Sequence, residues 1–243
     1  IHQPTLAFAA EALVASSFPD ALAAFLGGNV LSPRRTATSD LDVLVVVAGP
    51  PAPYRETIRY GDWLVELFVH TEASLRHYFA KDRDRRHPTM PTIAAHGVVV
   101  TDPAGIADAI LAEANALLDA GPPELTHNER EDLRYGLSGL IDDLVGATDR
   151  DELVFIANEV LEGAAQLYLM DRRLWPGTFK WLGRRLLEEA PALHARLMAA
   201  HRSVICAGDI EPLRAAAMEI LDRAGGWLQE GYLGYGEVPA AGK

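Results

Sequence analysis

From its start, the chain alternates short apolar runs with polar or Pro/Gly-rich breaks. Residues 3–16 and 20–26 are rich in Ala and Leu at helical spacing and predict two helices broken near Pro19. Gly27-Gly28 ends the second and opens a turn. The β-branched apolar run over 41–47 predicts a strand. Gly49-Pro50-Pro51-Ala52-Pro53 fits neither a helix nor a central strand. Two further runs, Arg55–Tyr60 and Trp63–His70, flank Gly61-Asp62 and read as a β-hairpin. Residues 72–86 predict a helix ending in Lys81-Asp82-Arg83-Asp84-Arg85-Arg86, whose alternating signs imply a solvated, self-paired end. Past Pro88 and Pro91 come a short helix, the strand-like Gly97-Val98-Val99-Val100 and a helix over 104–120.

Gly121-Pro122-Pro123 is a stiff break, and the pattern changes there. Thr126, with Glu129 three residues later, makes a capping box at the start of a helix. From that point no strand pattern recurs. Helices are expected at about 127–146, 150–171, 178–189, 192–206 and 210–230, separated by Gly146, Pro176-Gly177, Pro191 and Gly208. The expected fold class is α+β. An N-terminal α/β domain with a small mixed sheet occupies 1–121, a helical bundle 124–231, and a loose Gly- and Pro-containing tail 232–243.

The strand over 41–47 begins in an unusual way, with Ser39-Asp40-Leu41-Asp42 leading into it. Side chains alternate along a strand, so Asp40 and Asp42 share one side and Leu41 and Val43 the other. Adjacent carboxylates repel unless a cation sits between them. Hard oxygen ligands at this spacing suit Mg²⁺, above all when substrate phosphates complete its shell. Glu66 sits alone in the apolar run Trp63–His70, and a buried carboxylate pairs, protonates or binds a metal. A Gly-rich turn, Asp-x-Asp on one strand and a single acid on a later strand form a specific signal only in combination.

In that combination the chain resembles the polymerase-β-like nucleotidyltransferases, most of all the small bacterial members that modify aminoglycosides. Those include the kanamycin and the streptomycin/spectinomycin nucleotidyltransferases. The resemblance covers roughly residues 26–70, with a weaker continuation into the helical half. Gly28-Asn29 takes the place of the family's Gly-Ser, Asp40 and Asp42 that of its paired acids, and Glu66 that of its distal acid. Asn29 is the departure, because its amide donates from a longer arm than a Ser hydroxyl.

The resemblance implies a nucleotidyltransferase that moves AMP from ATP, with Mg²⁺, to a hydroxyl of a small molecule. Asp40, Asp42 and Glu66 would hold the metal, and Gly28, Asn29, Ser39 and Lys180 would meet the nucleotide. Glu66 has two open roles, second-metal ligand or general base. His70, on the same face of that strand, is a reserve base or simply the polar end of a strand. Glu159 and Glu162, on the helix over 150–171, are weaker candidates for an alternative base or for binding substrate amines. Lys180 is either a phosphate contact or a solvated helix residue. Two rival readings stay open, a protein-modifying or antitoxin-type nucleotidyltransferase and a catalytically silent nucleotide-binding relative.

Composition adjusts this picture only a little. The net charge of −12 argues against a general nucleic-acid binder and suits a cationic acceptor. The single cysteine, Cys206, cannot form an internal disulfide and reads as a small core residue. No apolar run approaches membrane-spanning length and no export signal is seen, so the expected location is the cytoplasm.

Overall fold

A computed structural model describes residues 3–234 of the chain. It divides into two compact units, residues 1–121 and 122–243.

The first unit is a five-stranded mixed sheet covered by helices on both faces. Its strands are β1 (Ala23–Gly27), β2 (Leu41–Val46), β3 (Tyr54–Tyr60), β4 (Trp63–His70) and β5 (Val98–Thr101). The spatial order is β3-β4-β2-β1-β5, with β2 and β4 parallel and every other neighbour antiparallel. Alternation sends Leu41, Val43, Val45, Val65 and Leu67 to the face where Leu6, Ala10 and Leu13 of helix α1 (Gln3–Ser17) pack. Phe25, Leu44, Val46 and Phe68 point the other way. They meet Leu75 and Phe79 of α2 (Glu72–Asp84), Ile93 of α3 (Thr89–His96) and Ile110 of α4 (Ala107–Ala120). Burial on both faces is why β2 reads as an almost unbroken apolar run.

Residues 20–26, expected to be helical, instead supply strand β1. All five residues of β1 are buried because the strand runs between β2 and β5 with packed layers above and below. A run buried on both faces has no period of two, and Ala-Ala-Phe-Leu fits a helix equally well by composition.

A second correction falls on the charged run after α2. Asp82 is fully buried, and its Oδ2 accepts a 2.7 Å hydrogen bond from the Met90 backbone N–H in the first turn of α3. Arg85 reaches its Oδ1 at 2.7 Å. The Asp82 carboxyl is pushed above its ordinary value, chiefly by burial, with the Met90 bond and the Arg85 charge pulling the other way. Arg86 is also buried, while Arg83–Asp84 forms a solvated pair of the kind that the alternation implied. Asp82 ties α3 to the end of α2, and α3 in turn lays Ile93 against Gly27.

Among its described residues the second unit has helices and no strand. Its helices are α5 (His127–Gly146), α6 (Arg150–Asp171), α7 (Lys180–Glu189), α8 (Pro191–Ala207) and α9 (Glu211–Arg223). The Thr126–Glu129 capping box is formed reciprocally. Helix α9 ends at Arg223, not near 230, because Gly225 and Gly226 turn the chain at φ 120° and 83°. Arg134 of α5 clamps that turn by donating to the carbonyls of Gly225 and Gly226 at 2.6 and 2.9 Å. The following residues lie along α5, where Tyr232 stacks on Tyr135 at 4.0 Å and its hydroxyl donates to Asp132. Residues 235–243 of the tail expected to be loose lie outside the described residues.

Two further expectations change. Cys206 is exposed near the end of α8 rather than in the core. Helix α6 is long and apolar enough to cross a membrane by composition, with a mean hydropathy of 1.2 over its best window. Its apolar residues Leu153, Ala157, Val160, Ala164 and Leu167 instead form the centre of the bundle core, which is the other reason for a helix to be this apolar.

Candidate metal centre

Strand β1 ends at Gly27, which pairs with Asp42 of β2, and Asp42 pairs on its other side with Glu66 of β4. The chain then turns sharply at Gly28, with φ 84° and ψ −178°, a conformation open essentially to glycine alone. Proximity imposes the same demand, since a Cβ at Gly28 would lie 1.9 Å from Asp42 Oδ2. The backbone therefore lies flat against the carboxylate of Asp42. A short 3-10 turn, Asn29–Leu31, carries the chain into the loop that returns to β2.

Two polar side chains fix this loop. Asn29 is buried, and its Nδ2 donates to the Arg34 carbonyl and to Ser39 Oγ, both at 3.2 Å. Ser39 Oγ also accepts from the Thr36 backbone N–H at 3.0 Å. The loop thus delivers Asp40 at the mouth of β2, and alternation puts Asp42 on the same side. The Asn29 amide thus helps to close this loop beside the acids. Arg35 of the same loop lies over the Trp63 ring at 5.2 Å.

Carboxylate oxygens of Asp40, Asp42 and Glu66 all lie within 4.8 Å of one another, each residue half-buried. Three acids so close share a strong mutual repulsion that a hard cation relieves. The donor set is all oxygen, partly open to solvent and bordered by a backbone that leaves no room for a Cβ. These features fit a divalent cation that keeps positions free for substrate oxygens. The cluster is compatible with metal binding.

The other sequence-predicted residues fall elsewhere. His70 lies four residues beyond Glu66 and opposite Val46, roughly 13 Å along the strand from the acids at a rise of about 3.3 Å per residue. It is buried, its Nδ1 lies 3.2 Å from Ser74 Oγ, and its ring meets Tyr78 edge-on at 4.9 Å. Burial pushes its pKa down. Its surroundings, with Ser74 and Tyr78 against the ring, are those of a histidine at the polar end of a strand. Glu159 and Glu162 are exposed on α6, and Lys180 is the exposed first residue of α7.

Sequence reasoning missed Arg55. Its Nη2 donates to Glu66 Oε1 at 2.6 Å, so the third acid carries an internal cation. The signal was present in the hairpin register. Pairing Tyr60 with Trp63 across Gly61-Asp62 sets Arg55 opposite Phe68, diagonal to Glu66.

No protein-family model matches the chain, and no curated protein matches it. Among solved structures it is similar to a nucleotidyltransferase-like protein from Exiguobacterium sibiricum 255-15. The identity is 11% and the TM-score 0.45, over 90% of this chain and 75% of that one.

Proposed function

We propose that this chain is a Mg²⁺-dependent nucleotidyltransferase that moves a nucleoside monophosphate, AMP from ATP, to a hydroxyl of a small, cationic acceptor of the aminoglycoside type. The observation that carries the reading is the convergence of Asp40, Asp42 and Glu66 within 4.8 Å beside the glycine turn at Gly28. Asp40, Asp42 and Glu66 are the residues that would hold Mg²⁺. Bound there, the ion would neutralise triphosphate charge and make the attacking hydroxyl more acidic. The acceptor oxygen attacks the α-phosphorus in line, a new P–O bond forms, and pyrophosphate leaves with the electrons of the broken one. Glu66 would either complete the metal's shell or take the hydroxyl proton. The resemblance adds Gly28, Asn29, Ser39 and Lys180 as nucleotide contacts. The acidic balance of the chain favours a positively charged acceptor through long-range attraction.

A screen of acceptors, aminoglycosides first, for pyrophosphate release from ATP and Mg²⁺ tests this reading. On an accepted substrate, Asp42→Asn is expected to lower turnover by more than the roughly 10–100-fold seen for residues that merely support a metal ligand. Its fold, read by circular dichroism, should be intact, because removing one charge from the cluster relieves repulsion. Wild-type turnover in Asp42→Asn refutes the assignment. A catalytically silent nucleotide binder is the second reading, favoured by the Asn29 amide's engagement in the loop. Tight MgATP binding without turnover on any acceptor would select it.

A further inference from the structure

Glu66 of the cluster carries a cation of the protein itself. Arg55 projects from β3, the edge strand, and its guanidinium lies 5.1 Å over the Phe68 ring while Nη2 grips Glu66 at 2.6 Å. The Arg55 side chain is 61% exposed and that of Glu66 21%. The guanidinium therefore reaches in from solvent, across an aromatic surface, to an acid that faces the same side of the sheet as Asp42. Because the strand pairing of β3 is made by its backbone, Arg55 can swing away without disturbing the sheet.

We propose that Arg55 is a built-in counter-ion of Glu66 in this cluster. It competes with the divalent cation for Glu66, and once displaced it engages the phosphates of the incoming triphosphate. The proposal rests on reading the cluster as a metal–triphosphate centre. Glu66 Oε1 cannot serve a guanidinium at 2.6 Å and a divalent ion in full. Like-charge repulsion between the two cations sets them against each other. A guanidinium released from a carboxylate is well shaped for phosphate, since both accept its planar fork through paired hydrogen bonds. Arg55 thus opposes the metal alone and favours the metal together with a triphosphate. These opposite signs form a pattern that general damage to the fold would not produce.

Calorimetric titration of the full chain tests it, first with Mg²⁺ alone and then with a non-hydrolysable ATP analogue at saturating Mg²⁺. Arg55→Ala is expected to bind Mg²⁺ alone roughly two- to fivefold tighter, the size of a solvent-exposed ion pair. It should bind the Mg²⁺-analogue complex about fivefold or more weakly, as befits the loss of a charge-assisted contact. In a Glu66→Gln background, Arg55→Ala should change Mg²⁺ affinity by less than about twofold, because the pair acts as a unit. Unchanged or weaker Mg²⁺ binding in Arg55→Ala overturns the proposal. So does an undiminished effect of Arg55→Ala in the Glu66→Gln background. If Asp42→Asn still abolishes Mg²⁺ binding in either case, the metal-site reading stands and only the role of Arg55 falls. Absence of Mg²⁺ binding in both the wild type and Arg55→Ala overturns both readings.

Discussion

Acids are plentiful in both units, yet the two units treat them differently. In the helical unit several are paired one by one with arginines. Glu219 is held by Arg196 and Arg223, Glu211 by Arg214, and Asp171 by Arg130. In the sheet unit three acids lie within 4.8 Å of one another, and the backbone forces this closeness. Asp42 is fixed between Gly27 and Glu66 by strand pairing, and Gly28 lies against its carboxylate. A protein with a net charge of −12 can place acids almost anywhere. What marks a site is three like charges held by the backbone within reach of one cation.

Glycine gives the sharpest way to break this contrast. Gly28→Ala in the sheet unit puts a methyl 1.9 Å from Asp42 Oδ2, at a φ of +84°. The backbone strain alone is worth about 1–3 kcal/mol. The methyl also displaces one of the three acids, so Mg²⁺ binding should be lost. Gly136→Ala on α5 meets nothing within 4 Å and removes a glycine from a helix interior. It should raise stability by roughly 0.5–1 kcal/mol and leave Mg²⁺ binding alone. Urea unfolding and a metal titration on each variant decide the matter. Equal effects of the two substitutions would mean that Gly28 is an ordinary turn.

The next effect concerns the buried acid of the sheet unit. Asp82→Ala leaves the buried Met90 N–H without its acceptor and should cost about 1–3 kcal/mol. Asp82→Asn keeps an acceptor and removes the titration. Burial raises the folded-state pKa of Asp82 above its ordinary value of 3.8. The folded protein therefore holds this proton more tightly than the unfolded chain does. That contribution to stability is complete below 3.8 and is lost as the pH rises through the raised folded value. Relative to Asp82→Asn, the wild type should lose stability between acidic and neutral pH. A difference that grows in favour of the wild type with rising pH would show that Arg85, not burial, governs this group.

How much of this was legible in the chain follows from what each residue must satisfy. Strand β2 and the β3–β4 hairpin were readable because β-branched runs and Gly61-Asp62 leave few alternatives. The acid cluster was readable because alternation fixes the side on which Asp40 and Asp42 fall. Strand β1 was not, since a central strand of Ala, Phe and Leu lacks the period that separates strand from helix. Asp82 looked solvated because its burial depends on α3 folding back over α2, a tertiary event with no local signature. Arg55 lies between these cases. Its register could be counted from the turn, but its choice of Glu66 over water is a property of the folded hairpin.

The smallest expected effect lies in the helical unit, where Glu219 bridges Arg196 at 2.5 Å and Arg223 at 2.7 Å. Its carboxyl is held below the usual value, first by the hydrogen bond from Arg196 and then by the charges of Arg196 and Arg223. A lowered folded-state pKa gives stability that is present above the ordinary carboxylate value and is lost as the pH falls through the lowered one. All three side chains stand in solvent, so water and salt screen the attraction, and ordering three long side chains offsets much of it. Glu219→Gln should therefore leave the urea midpoint unchanged at about 1 M salt, where charges are screened within roughly 3 Å. A slight fall should appear only at about 0.01 M salt, where screening extends to roughly 30 Å. Mg²⁺ affinity should not move under either condition. A large loss that persists at high salt would mean that this bridge stabilises the packing of α8 against α9. In that case, pairing at the surface of the helical unit would do more than neutralise charge, and the contrast with the crowded acids of the sheet unit would need redrawing.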